Sequence, residues 1–381
     1  MKILFVRTAG KISGAETYNI GLLKELIKHT SVHPVFLTNN NELVTKLERV
    51  GVESYYESWL PEEVGTKRQA VKLLPVLPGI IPRYIHCIRR LEVLIKFDAI
   101  CLQSMTEKLI LTPILKKLGY KIVWIDHGPV FVSRMSGILK TLYRQISRVV
   151  DLIIAVSEDT KRDLVSHGIT PIKVKVVYIG IDTHDYAPLS IKQRSIIKEK
   201  LYSGKNVTVV GYVGTVTKEK GIDEYIWVAN NLVSKSNRYR FLVIGDGPDL
   251  KEIKHRVERL GIKNMFTFTG YISDVKPFLG IMDFMVLPTR HNEGISMSIL
   301  EAQAMGVPVI TYNIGGNVEI IKNMKNGYIS DNKRNIVTLI SNLSNDGAEL
   351  KKINREAVKT IRTRFNINKQ TKRFVKLFSS L

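Results

Sequence analysis

The sequence predicts an α/β protein made of two doubly wound, parallel-sheet domains. Short apolar, β-branched runs alternate with amphipathic helical stretches along nearly the whole chain. The alternation breaks once, between about residues 179 and 205, and then restarts. The chain has 381 residues, 44% of them hydrophobic, enough for two domains of ordinary size.

The first series reads as strands at 3–6, 35–38, 99–103, 121–125 and 152–156, with a helix over 16–28 after the first. Such runs fit a sheet buried on both faces, and helices between them imply right-handed crossovers. Pro188 and a basic helical run at 191–200 mark the break. The second series reads as strands at 207–213, 241–244, 266–269, 284–287 and 307–311, and a basic amphipathic helix at 369–378 closes the chain. The expected division is a first domain over 1–182, a connection over 183–205, a second domain over 206–364, and a final helix over 365–381 packing back on the first. Ligands of such sheets sit at the carboxyl ends of strands where strand order reverses, so a cleft between two such domains is expected to hold a donor on one side and an acceptor on the other.

Cys87 and Cys101 are the only cysteines, too few for a metal cluster or a disulfide scaffold, and a reducing cytosol is the default expectation. Met1 leads straight into the first strand, so no signal peptide is expected. The nearest approach to a membrane span, residues 73–82, is short and broken by prolines. The net charge of +22 predicts an anionic partner: phosphorylated substrate, acidic membrane leaflet or nucleic acid. A plainer source is a composition rich in Lys and Asn. No zinc-finger spacing or aromatic RNP signature accompanies the charge, which disfavours nucleic acid.

The most informative stretch is EGISMSILE at 293–301, two carboxylates spaced E-x7-E across a loop that turns into a helix after an apolar strand. Amides at a helix start suit phosphate and carboxylates suit sugar hydroxyls, which together point to a sugar nucleotide. Glu301 also fits a capping box begun by Ser298, and Glu293 also fits an exposed loop acid. The loop at 7–16 is neither G-x-G-x-x-G nor a Walker A motif, which counts against a dehydrogenase and a P-loop NTPase; Gly10 and Gly14 either serve the turn alone or admit a ligand. Lys220, before Gly221, is either a solvated lysine of a Lys-Glu-Lys run or the cation that meets a diphosphate. Gly245 and Gly247 either make a plain turn or let a nucleotide approach. His127, just past a strand, is either structural or a neutral hydrogen-bonding partner of a sugar. No His, Cys, Asp or Glu cluster has metal-ligand spacing, and no D-x-D follows an apolar strand, so no metal is expected.

Taken together, these residues resemble the GT-B-fold retaining glycosyltransferases of family 4, the "glycosyl transferases group 1" proteins. The resemblance covers essentially the whole chain and is most specific at residues 293–308, followed by GGNVE at 315–319. Supporting matches are SGAE at 13–16, AVS at 155–157, IGID at 179–182, KG at 220–221 and GDGP at 245–248. It implies a donor site in which Glu301 holds the ribose hydroxyls and Glu293 stands beside the donor sugar. Amides of Gly294, Ile295 and Ser296 lie near sugar and diphosphate, Lys220 and Gly14 near the phosphates, and His127 near the transferred sugar. Many members carry an arginine where this chain has Thr215, so phosphate binding rests more heavily on Lys220, with Arg290 as a candidate compensator. The implied activity is metal-independent, cofactor-free transfer of a sugar from a nucleoside diphosphate, UDP by family frequency, to a glycan or lipid-linked acceptor in bacterial surface polysaccharide synthesis. The basic, partly apolar stretch 67–96, with Arg83, Arg89 and Arg90, suggests a cytoplasmic enzyme peripheral on the inner membrane face, or else ordinary packed helices with solvated basic faces. A sugar-nucleotide epimerase of the same architecture is the alternative, and a basic nucleic-acid-binding protein a weaker one.

Overall fold

The structure is a computed structural model that describes residues 1–10, 12–61, 74–92, 96–131, 137–202 and 207–381. The chain forms two compact units, residues 1–180 with 367–381, and residues 181–366. Parts of the 67–96 stretch and of the 183–205 connection lie outside the described residues.

In the first unit, seven parallel strands run β1 (Lys2–Val6), β2 (His33–Thr38), β3 (Glu53–Tyr56), β4 (Ala99–Leu102), β5 (Lys121–Asp126), β6 (Leu152–Ala155) and β7 (Val174–Val176). Their spatial order is β3-β2-β1-β4-β5-β6-β7, so the winding reverses between β1 and β4. Alternate side chains of these strands feed opposite faces. Leu4, Val6, Ile100, Leu102, Ile122 and Trp124 meet in one core. Phe5 points to the other face, where it stacks on Phe374 of the terminal helix Ile367–Phe378 at 6.1 Å. That helix packs beside Gly14–Leu26, the helix that follows β1.

In the second unit, six strands run β8 (Thr208–Val213), β9 (Tyr239–Ile244), β10 (Phe266–Gly270), β11 (Phe284–Leu287), β12 (Val309–Tyr312) and β13 (Tyr328–Ser330). The order is β10-β9-β8-β11-β12-β13, with the reversal between β8 and β11. The stretch expected as a connection is instead part of this unit. Its helix Ile191–Tyr202 sends Arg194 and Lys198 to Asp283, at 2.5 and 2.7 Å, and the same carboxylate accepts from the Val209 amide at 2.8 Å. One aspartate before β11 thus ties the helix to the start of β8.

Three strands, β3, β7 and β13, have no counterpart in the sequence reading. All three are sheet edges. An edge strand needs no long apolar run, and ESYY, VKV and YIS are short or half polar.

Candidate functional site

The reversal points place the sequence-singled residues. Lys220 lies in the loop after β8 and Glu293 in the loop after β11, and the structure brings them together as an ion pair. Both side chains remain partly exposed, 23% and 16%, although the Glu293 oxygen of the pair is itself closed to solvent. Backbone geometry delivers Lys220 there. Gly221 starts the helix Ile222–Val233 in the left-handed region, at φ +81°, and a side chain there would run into the Pro288 carbonyl. Only glycine lets that helix start lie against the end of β11. Tyr212 steadies the same loop by donating to the Thr215 carbonyl at 2.8 Å. Thr215 itself is exposed and brings no charge.

The loop 292–296 leads into the helix Met297–Ala304. The Gly294 and Ile295 amides donate to no acceptor among the described residues. The Ser296 amide, expected near the donor as well, is already engaged by the Asn317 side-chain oxygen at 3.1 Å. Next to Asn317, the Gly316 amide donates to the Glu293 carbonyl at 2.8 Å. The GGN run at 315–317 therefore braces the Glu293 loop, a contact no local sequence pattern announces.

Glu301 does not cap its helix. The helix begins at Met297 after Ser296, so Glu301 falls beyond the first turn, and the Ser298 capping box does not form. Its carboxyl is buried and accepts from the Tyr186 hydroxyl at 3.2 Å. Burial pushes it up to about 7, against the smaller opposing pull of that hydrogen bond. Tyr186, which no sequence signal marks, is thus its only recorded polar partner among the described residues.

Two further residues make contacts of their own. The Gly245 amide donates to Gly270, and its φ of +133° together with the Gly214 carbonyl pressed against its α-carbon already requires glycine. That glycine joins two strand-end loops, so a nucleotide is not needed to explain it. Arg290, the candidate compensator for Thr215, pairs with Glu224 at 2.6 Å and is 70% exposed.

Gly14 and His127 belong to the first unit. Gly14 is exposed and opens the helix Gly14–Leu26, whose cap differs from any read in the sequence: Glu16 accepts from the Ser13 amide at 2.8 Å and from Arg7 at 2.5 Å. Burial alone raises the Glu16 carboxyl, but Arg7 and Ser13 outweigh it and hold it below its ordinary range. His127 follows β5 and is held well below the usual imidazole range by burial and by nearby Arg7 and Lys108, so it is neutral at pH 7. Its Nε2 meets Gln103 at 2.8 Å and its ring is edge-on to Tyr18 at 5.7 Å.

Among the described residues no three His, Cys, Asp or Glu side chains are grouped to hold a metal ion, and no helix is long and apolar enough to cross a membrane. The helix Leu77–Leu91 carries Arg83, Arg89 and Arg90, and Arg90 pairs with Glu57.

Residues 193–360 match the family "Glycosyl transferases group 1", and residues 12–185 match "Glycosyltransferase Family 4". A UDP-Gal:alpha-D-GlcNAc-diphosphoundecaprenol alpha-1,3-galactosyltransferase of Escherichia coli is 29% identical over 221 residues, 55% of each chain. The capsular polysaccharide biosynthesis glycosyltransferase CapM of Staphylococcus aureus is 29% identical over 220 residues, 56% of this chain and 57% of its own. The matches thus span a little over half the length of these curated relatives. The structure of Anabaena Alr3699/HepE in complex with UDP and glucose superposes at a TM-score of 0.84 over all of both chains, at 20% identity, which establishes the GT-B fold class.

Proposed function

Because the chain belongs to the group 1, family 4 glycosyltransferases, we propose that it transfers a sugar from a UDP-sugar to a hydroxyl of a glycan or lipid-linked acceptor, with retention, during assembly of a bacterial surface polysaccharide. The observation that carries this reading is the partly exposed Lys220–Glu293 pair beside the unengaged Gly294 and Ile295 amides at the β8/β11 reversal. A UDP complex of a protein with the same fold, and relatives named for a galactosyltransferase and for capsule synthesis, support the donor and pathway class.

In the proposed reaction the bond from the anomeric carbon to the diphosphate breaks, the sugar becomes oxocarbenium-like, and charge grows on the departing phosphate. Lys220 moves from Glu293 to that phosphate, and the free amides at the helix start add dipolar stabilisation, with no divalent ion assigned. Glu293, released, stands beside the sugar. Glu301 takes the ribose hydroxyls in place of Tyr186. The leaving phosphate itself accepts the acceptor's proton.

A thermal-shift panel of UDP-, GDP- and ADP-sugars, followed by product analysis with the preferred donor, tests this. Stabilisation by the UDP series and a new glycosidic product are expected; no stabilisation by any nucleotide sugar overturns it. The reading also places the protein on the cytoplasmic face of an anionic membrane through the Arg83 and Arg89 face. Co-sedimentation with anionic liposomes at physiological salt, lost on charge reversal of those two arginines, is the expected outcome; absence of binding removes the membrane placement alone.

A further inference from the structure

At the β1/β4 reversal of the first unit, two buried side chains and the partly buried His127 form a chain of hydrogen bonds whose direction is fixed. Asn19 sits on the helix after β1, Gln103 just past β4 and His127 just past β5. Asn19 Nδ2 donates to the Ala15 carbonyl at 3.0 Å, and a carbonyl accepts only, so the Asn19 amide cannot be turned round. Its Nδ2 also donates to Gln103 Oε1 at 2.9 Å, while Gln103 Nε2 donates back to Asn19 Oδ1 at 2.9 Å. Turning Gln103 would set donor against donor and acceptor against acceptor. Gln103 Oε1 therefore also faces His127 Nε2, at 2.8 Å, and an amide oxygen has no proton to give. The imidazole proton must sit on Nε2. His127 Nδ1 is then left unprotonated, closed to solvent and without a partner among the described residues. A buried acceptor left unsatisfied costs stability, so its retention calls for a reason.

We propose that Asn19 and Gln103 are positioning residues that lock His127 as its Nε2–H tautomer, so that a ligand group that uncovers and meets Nδ1 is a hydrogen-bond donor, a hydroxyl and not a phosphate oxygen. The hydroxyl assignment rests on the glycosyl-transfer reading; the tautomer does not.

Long-range ¹⁵N NMR of histidine-labelled protein, with His127 assigned by its loss in His127→Gln, tests the lock directly. The neutral Nε2–H form alone is expected at pH 7; an Nδ1–H form, a mixture or an imidazolium overturns it. In Gln103→Met the fixed acceptor is gone and both tautomers are expected; persistence of the Nε2–H form alone overturns the lock. In Gln103→Glu the carboxylate draws a second proton onto the ring and turns Nδ1 into a donor. Sugar transfer is then expected to fall about ten- to hundredfold in kcat/KM, as for other partners that orient a functional histidine, with UDP affinity unchanged. Full transfer by Gln103→Glu with a protonated His127 overturns the hydroxyl assignment. A wild-type protein that transfers no sugar from any nucleotide donor removes the glycosyl-transfer reading and the hydroxyl assignment with it, while the NMR result still decides the tautomer.

Discussion

Lys108 and Lys220 both stand near strand ends at a reversal of strand order, yet they are placed for opposite ends. Lys108 follows β4 and is 3% exposed; it bonds the Ile125 carbonyl and the Asp126 carboxylate, both at 2.7 Å. Lys220 follows β8, remains partly accessible, and among the described residues its side chain pairs with Glu293 alone, on a loop whose amides are partly unengaged. The same architecture thus yields one crevice whose cation is consumed by the fold and another whose cation is available. A parallel sheet provides the crevice; the depth at which a charge is paired decides whether it binds a ligand or holds strands together.

The sharpest way to break the comparison is to remove each lysine. Lys220→Ala is expected to fold normally and lose about 10²–10³-fold in kcat, the scale of deleting a preorganised group that meets developing charge. Lys108→Ala leaves Asp126 buried, with the Tyr143 hydroxyl at 2.7 Å as its remaining side-chain partner among the described residues, and is expected to cost about 3–5 kcal/mol. Denaturant melts and donor kinetics on both variants check this. An active Lys220→Ala, or an unperturbed melt of Lys108→Ala, collapses the distinction.

Glu301 sharpens it through pH. Its carboxyl lies at about 7 in the folded protein against an ordinary 4.5, because burial disfavours the charge. The folded form holds the proton more tightly, so this group's stabilisation is full below about 4.5 and is lost as pH rises toward about 7. The loss is on the order of 3–4 kcal/mol. Ribose hydroxyls favour the ionised carboxylate, so UDP affinity is expected to rise with pH through about 7 as stability falls. Glu301→Gln should flatten both profiles in calorimetric titrations and melts from pH 5 to 8.5. A UDP affinity that does not change with pH in the wild type would remove Glu301 from the nucleotide. Asn317→Ala comes next in size. It strips the Ser296 amide of its acceptor, is expected to cost about 1–3 kcal/mol, and should raise the KM for donor more than it lowers kcat.

The strands legible in the sequence are those buried on both faces, such as 3–6 and 284–287, because burial on two sides forces a continuous apolar run. The edges β3, β7 and β13 were hidden because their runs, ESYY, VKV and YIS, are short or half polar, whereas the edge β10, FTFTG, showed through its alternating aromatic residues. In the candidate site, Lys220 and Glu293 stand out in the sequence as charges beside a glycine at a strand end. Tyr186, Asn19 and Gln103 were not. Their roles lie in contacts across 115, 84 and 24 residues of sequence, to Glu301, between themselves, and to His127, and no local pattern encodes such distances. Spacing also misled once, at Ser298, because the helix starts two residues earlier than a box with Glu301 requires.

The smallest expected effect bears on the missing second cation. Arg290 sits three residues before Glu293 and is the charge closest in sequence to the site, so proximity alone argues that it makes up for Thr215. Its guanidinium instead bonds Glu224 at 2.6 Å, lies over the Tyr312 ring at 5.5 Å, and is 70% exposed. A pair that open to solvent contributes less than about 1 kcal/mol, and salt screens it further. Arg290→Ala is therefore expected to leave UDP affinity within about twofold and the melt nearly unchanged. A tenfold loss of UDP affinity in that variant, matched by a restored response to added salt, would mean that Arg290 leaves Glu224 when the diphosphate arrives. The second unit would then meet the phosphate with two cations, and the contrast with the fully committed charges of the first unit would be wider than the ion pairs alone indicate.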